Sequence, residues 1–253
     1  MKLLLLPFRI LYVLYAVLTF VALMLLVFVW SILVLPFGRI RGGNLVYYGC
    51  IAWADIWFFL VFIRHRNIYV ERPREHQSYI YVANHISYLD SAILPKTFRH
   101  PIRPLGKVEM ARIPVFGFIY RNAIVTVDRS SPANRVKSVQ VLKSVLRKEI
   151  SILVFPEGTF NETGKPLKDF YDGAFRIAIE TGTPIKPVVL LDSYTRMNYK
   201  SIFSLNPGRS RAVFLPEVPV DGLAATDVPQ LREAVRSIME KALREHGAKW
   251  ITD

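Results

Sequence analysis

The chain has 253 residues, enough for one domain with a sizeable core, and 52% of them are hydrophobic, above the usual range for a globular domain. Its 33 basic residues against 20 acidic ones give a net charge of +13, which suits anionic lipid head groups and phosphate-bearing substrates. Nucleic acid, the other acidic partner such a charge admits, finds no helix-turn-helix spacing, zinc-ligand set or stacked-aromatic motif. A single cysteine, Cys50, excludes a disulfide framework.

The apolar excess lies at the front. No charged residue occurs from Ile10 to Phe37, and Asn44 to Ile63 is a second apolar run interrupted only by Asp55; a bilayer span needs ~20 such residues. The first run ends in LPFGRIRGG, without the small-residue cleavage site of a signal peptide. Lys2 and Arg9 precede it, Arg39 and Arg41 fill the turn, and Arg64 and Arg66 follow the second run, so the positive-inside rule does not separate the two sides and both look cytoplasmic. An acid in mid-segment is costly in hydrocarbon. Both observations predict a helical hairpin over residues 1–66, dipped into one leaflet at the cytoplasmic face of the membrane.

Residues 67–253 read as one catalytic α/β domain. Short apolar or β-branched runs bounded by turn residues predict strands at Asn67 to Glu71, Tyr79 to Ala83, Ala123 to Asp128, Ile150 to Phe155, Ile185 to Leu191 and Ala212 to Leu215. Helices are predicted from Ser131 to Lys148, with a capping serine and a first-turn proline, and from Asp227 to His246, stopped by Gly247. Alternating strands and helices imply a central, mostly parallel sheet flanked by helices.

Two motifs carry the chemistry. Asn84-His85-Ile86-Ser87-Tyr88-Leu89-Asp90 follows the strand YIYVA directly. On one regular helix a histidine and an aspartate five apart would stand ~140° apart and could not touch. They meet if His85 lies in the strand-to-helix turn and Asp90 on the helix that follows, where the carboxylate takes the Nδ1 proton and leaves Nε2 as a base. That is the orienting half of a catalytic triad without its serine, and no other histidine or cysteine cluster completes a metal site. Phe155-Pro156-Glu157-Gly158-Thr159-Phe160 ends a second strand. The following Gly164-Lys165 is not a phosphate loop, since five residues separate Gly158 from Gly164 where that motif has four, and Pro166 stands at the magnesium-binding hydroxyl. No Gly-x-Ser-x-Gly elbow occurs. Taken singly, each motif also fits a purely structural turn.

Taken together, NHISYLD and, some seventy residues later, FPEGT resemble the glycerolipid acyltransferase family typified by 1-acylglycerol-3-phosphate acyltransferase. The resemblance extends through GKVEM, IPVFGFI, VDR, KDFYDGAFRIA and TPIKPVVL. It implies a membrane enzyme of phospholipid synthesis that moves an acyl group from acyl-CoA or acyl carrier protein, as co-substrate and without a further cofactor, to the hydroxyl of lysophosphatidic acid. It also implies roles: His85 as base, Asp90 as its orienter, Lys107 as a stabiliser of developing negative charge, and Glu157, Gly158 and Thr159 as acceptor-binding residues, with Pro187 in a block tied to the acyl donor or to packing. The family continues EGT with an arginine for the acceptor phosphate, and here that position is Phe160. An aromatic ring cannot make a charge-assisted hydrogen bond, so Arg121, Arg129, Lys165 or Lys168 is expected to replace it, or the acceptor is a different lysolipid. A non-enzymatic binder of anionic membranes would account for the charge and the hairpin, but not for the two motifs.

Overall fold

A computed structural model describes residues 6–127 and 132–252. Arg129, Asp128 and the capping Ser131 lie outside the described residues. The chain opens with two helices, α1 (Leu6–Leu33) and α2 (Gly43–Leu60), joined by a short 3-10 turn and a π turn. Alternating strands and helices follow: β1 (Ile63–Tyr69), β2 (Ile80–Ala83), α3 (Asp90–Thr97), β3 (Arg103–Lys107), α4 (Phe116–Ala123), β4 (Val125–Val127), α5 (Pro132–Leu146) and β5 (Ile152–Val154). The last part comprises α6 (Gly173–Thr181), β6 (Ile185–Leu190), the single turn α7 (Ser193–Arg196), β7 (Gly208–Phe214) and α8 (Val228–Glu245).

The seven strands form one sheet in the order β1-β7-β6-β2-β5-β3-β4. Every pairing is parallel except β6 with β7, which is the expected mostly parallel architecture. Alternation along the strands sends side chains into two cores. Ile80, Val82, Ile152 and Val189 face α5, α6 and α8, while Tyr81, Ala83, Leu153 and Val188 face α2 and α3. A sheet covered on both faces needs apolar residues on both faces, and the four residues of β2 are accordingly all buried.

α1 and α2 lie antiparallel. Trp57 Nε1 donates to the Ala16 carbonyl at 2.9 Å, and Trp30 Nε1 donates to that of Leu45 at 2.9 Å. The two helices differ in what surrounds them. α2 buries Tyr47, Ile51, Trp57 and Phe58 against the sheet and α3, and its Asp55 bonds Lys96 Nζ at 2.6 Å and Arg99 Nη2 at 2.7 Å. The acid that looked costly in hydrocarbon is therefore neutralised by two cations, one on α3 and one just beyond it. By length and composition, Pro7–Leu33 is long and apolar enough to cross a membrane, and α1 leaves a long apolar stripe uncovered, including Leu11, Leu18, Leu25 and Leu33.

Two boundaries differ from the sequence reading. β1 begins at Ile63, four residues earlier than expected, because Ile63 to Tyr69 pair in register with Gly208 to Phe214. β3, a strand containing Pro104 and Gly106, was not foreseen. It is held by pairing Arg103 and Pro104 with β5 and Leu105 to Lys107 with β4, and Gly106 is needed because any side-chain carbon there would collide with the Tyr120 hydroxyl.

Candidate active site

The site forms where β2 runs out. Asn84, the first residue beyond it, exchanges two hydrogen bonds with Leu190: Nδ2 donates to the carbonyl at 3.0 Å, and the backbone N–H donates to Oδ1 at 2.7 Å. This ties the end of β2 to β6 and starts the 85–89 turn from a fixed point. Asp90 then opens α3. Its Oδ2 accepts from His85 Nδ1 at 2.8 Å, from the Ile86 N–H at 2.8 Å and from the Ser87 N–H at 2.9 Å. The expected arrangement, histidine in the turn and aspartate on the helix, is the one observed. Asp90 is fully buried, so it reaches a reactant only through the imidazole it holds.

The His85 ring is also fixed by aromatic contacts. Phe155 stacks on it with centroids 4.1 Å apart and planes 13° apart, and Phe160 meets it edge-on at 4.4 Å while packing against Tyr88 at 4.7 Å. With Nδ1 engaged, Nε2 is the nitrogen left for a reactant. Among the described residues no serine, threonine or cysteine bonds this imidazole; Ser87 Oγ donates instead to the Met197 carbonyl.

Glu157 lies beneath the cavity rather than in its wall. Its two oxygens accept the backbone N–H of His85 at 2.9 Å and that of Lys168 at 2.8 Å. One buried carboxylate thus sets the spacing between the imidazole's turn and a lysine 83 positions further along. Burial pushes this carboxyl up to about 7, against the pull of the same two N–H bonds. Gly158, at φ 72°, closes the turn by donating its N–H to the Phe155 carbonyl at 3.0 Å, a left-handed conformation that glycine adopts without cost.

His85 opens on a cavity of about 880 Å³. Apolar side chains wall it from three helices: Phe20 and Met24 of α1, Tyr47, Cys50 and Trp53 of α2, and Ile119 of α4. Its polar end carries His85, Lys107, Gly158, Thr159 and Lys168. Lys168 Nζ donates to Thr159 Oγ1 at 2.6 Å. Of the cations expected near an acceptor, Lys168 lines the cavity, whereas Arg121 and Lys165 do not, and Arg121 donates to the Ala111 carbonyl. Pro187 sits in β6, paired with Val82 of β2, away from the cavity wall. Sequence reasoning missed the stacking Phe155 and the contribution of α1 and α2 to the cavity. The first is the opening residue of FPEGT, where pattern gives no sign of a ring contact with a histidine seventy positions away, and the second depends on contacts more than thirty residues apart.

A family model described as Acyltransferase matches residues 64–191. The chain is 32% identical over 171 residues to the 1-acyl-sn-glycerol-3-phosphate acyltransferase alpha of Ovis aries, covering 67% of this chain and 59% of that protein. It is 31% identical over 182 residues to the 1-acyl-sn-glycerol-3-phosphate acyltransferase of Salmonella typhimurium, covering 69% and 71%. The match therefore spans less than two thirds of the sheep protein's length. Among solved structures, the 1-acyl-sn-glycerophosphate (LPA) acyltransferase PlsC from Thermotoga maritima shares the fold, with a TM-score of 0.74 at 21% identity over 96% of this chain and 100% of that one. By its matched region, its relatives and the motifs that build this site, the chain belongs to the Acyltransferase family.

Proposed function

We propose that this protein transfers a fatty acyl group from acyl-CoA or acyl carrier protein to the free hydroxyl of lysophosphatidic acid, giving phosphatidic acid. The observation that carries this reading is the oriented His85–Asp90 pair opening on a cavity lined mostly by apolar side chains. Such a cavity holds an acyl chain in its apolar part and leaves the reacting ends beside the imidazole.

In this mechanism His85 Nε2 removes the proton from the acceptor hydroxyl, and the oxygen attacks the thioester carbonyl carbon. Asp90 stabilises the imidazolium that forms. The negative charge on the tetrahedral oxygen is met by Lys107 and by nearby backbone N–H groups, preorganised donors of a kind whose loss costs ~10²- to 10³-fold in rate. Collapse breaks the carbon–sulfur bond, and the imidazolium proton goes to the leaving thiolate. No acyl-enzyme is needed, because among the described residues no serine, threonine or cysteine bonds the base. Lys168, fixed to the base through Glu157, takes the acceptor's phosphate in place of the arginine that Phe160 replaces.

The same reading puts the α1–α2 pair in one leaflet at the cytoplasmic face. Arg9 Nε donates to the Phe203 carbonyl at 3.0 Å, and Phe28 meets Phe118 edge-on at 5.3 Å. The folded domain thus accompanies α1 for roughly 28 Å at ~1.5 Å per residue, close to the ~30 Å of a hydrocarbon core. A crossing α1 would drag that domain into lipid, which supports a helix lying along the surface.

Purified protein supplied with lysophosphatidic acid and either donor is expected to form phosphatidic acid, read by mass spectrometry, and to prefer this acceptor within a panel of lysolipids. No phosphatidic acid with either donor, in vesicles or in detergent, would overturn the reading.

A further inference from the structure

Three separate stretches of the chain meet beside the first turns of α1. Arg9 bonds the Phe203 carbonyl, and Tyr12, almost one turn on, donates its hydroxyl to the Val61 carbonyl at 2.7 Å. The next carbonyl, that of Phe62, accepts the Gly208 N–H at 3.0 Å. The start of α1, the α2–β1 junction and the 3-10 turn Ile202–Ser204 are therefore stitched together, although more than 190 residues separate the first from the last.

This patch carries apolar side chains that the fold does not cover. Phe8 is 71% exposed, Phe59 79%, Phe62 68%, Ile202 49% and Phe203 55%. Phe62 is held at φ 55°, a conformation a bulky residue adopts only where its surroundings impose it, and the result is a ring turned outward. Cations border the same edge: Lys200 and Arg64 are exposed, and Arg64 pairs in register with Arg209, whose side chain is 66% exposed. Clustered exposed aromatics rimmed by lysine and arginine are the composition of a surface that rests on an anionic bilayer.

We propose that the segment 198–205, together with Phe62, is a second membrane-contact element that inserts Ile202 and Phe203 into the interface of an anionic bilayer beside the N-terminal end of α1. The occupant is a lipid surface because the patch continues the uncovered apolar stripe of α1 and because its rim is basic. The proposal rests on the reading that this stripe faces lipid. Its consequence is a two-point attachment, from opposite ends of the sequence, that fixes the tilt of the catalytic domain over the membrane.

The test uses full-length protein with Cys50→Ala and single cysteines at Phe203→Cys, Leu18→Cys or Lys241→Cys, each carrying an environment-sensitive fluorophore. It is added to phosphatidylcholine–phosphatidylglycerol vesicles containing a nitroxide-labelled lipid. Quenching at 203 and 18 but not at 241 is the expected result. Quenching at 18 without 203 overturns this proposal and leaves the α1 reading standing; quenching at neither overturns both, and quenching at 241 as well shows clumping, not docking. The double variant Ile202→Asp/Phe203→Asp should bind such vesicles roughly tenfold less well, since two half-exposed side chains lose their apolar transfer. Its turnover of detergent-dispersed substrate should be unchanged, and unchanged vesicle binding would also overturn the proposal.

Discussion

His85 and Asp90 act as a unit, and the unit is built from backbone as much as from side chain. The carboxylate oxygen that holds the imidazole also holds the Ile86 and Ser87 N–H groups, so the turn cannot relax without losing the base's orientation. His85→Ala is expected to reduce turnover by about 10²- to 10⁴-fold, the usual worth of a positioned base. Asp90→Asn should fall by a similar order, because an amide cannot stabilise an imidazolium. Initial rates check this, with near-UV circular dichroism unchanged in the histidine variant. Lys168 is different in kind, since it is proposed to bind and not to react. Lys168→Ala should raise the acceptor KM about tenfold with a smaller effect on kcat, the signature of lost ground-state binding, and Lys168→Arg should restore much of it. Equal loss in kcat and kcat/KM would place the lysine in the chemical step instead. Of this site, the meeting of His85 with Asp90 was legible because both members lie in one strand-to-helix turn, although the motif by itself also fitted a structural turn. The bracket by which Glu157 joins His85 to Lys168 was not, because its two ends are 72 and 11 residues from the glutamate.

At the level of elements, β1 shows how a strand's place can depend on its partner. His65, within β1, bonds Ser210 of β7 through Nδ1 at 2.9 Å and Asn67 Oδ1 through Nε2 at 2.9 Å. Burial pushes this imidazole from its ordinary 6.5 down to about 4. Between those values the unfolded chain binds the proton and the folded one does not. The stability this neutral histidine contributes is therefore present above pH 6.5 and lost as pH falls through 4, with an upper bound on the order of 3 kcal/mol. His65→Gln is expected to flatten the acid branch of Tm against pH between 6.5 and 4; an unaltered slope would assign the acid sensitivity to other groups. The Asp55 contacts belong to the same scale. The sequence showed an acid in an apolar run, and only the packing of α2 on α3 supplied Lys96 and Arg99 to neutralise it.

For the whole molecule, the central question is how a catalytic domain sits against a bilayer. A cysteine at Arg39, in the exposed turn between α1 and α2, is expected to react with an impermeant reagent only from the cytoplasmic side; labelling from the far side would establish a true crossing. Arg39 serves better than the neighbouring Gly42, where a side-chain carbon would stand 2.8 Å from the Val34 carbonyl. By itself the sequence determined what depends on near neighbours: the apolar N-terminal runs, the strand-helix alternation and the two motifs with their spacing. Only the tertiary structure decided what depends on distant residues: that α2 belongs to the sheet's core, that α1 and α2 wall the cavity, that Lys168 and not Arg121 reaches its polar end, and that Phe203 lies beside Arg9. The reason is physical. Periodicity and turn chemistry act over a few residues, whereas a cavity or a surface patch exists only after loop closure has brought remote segments together.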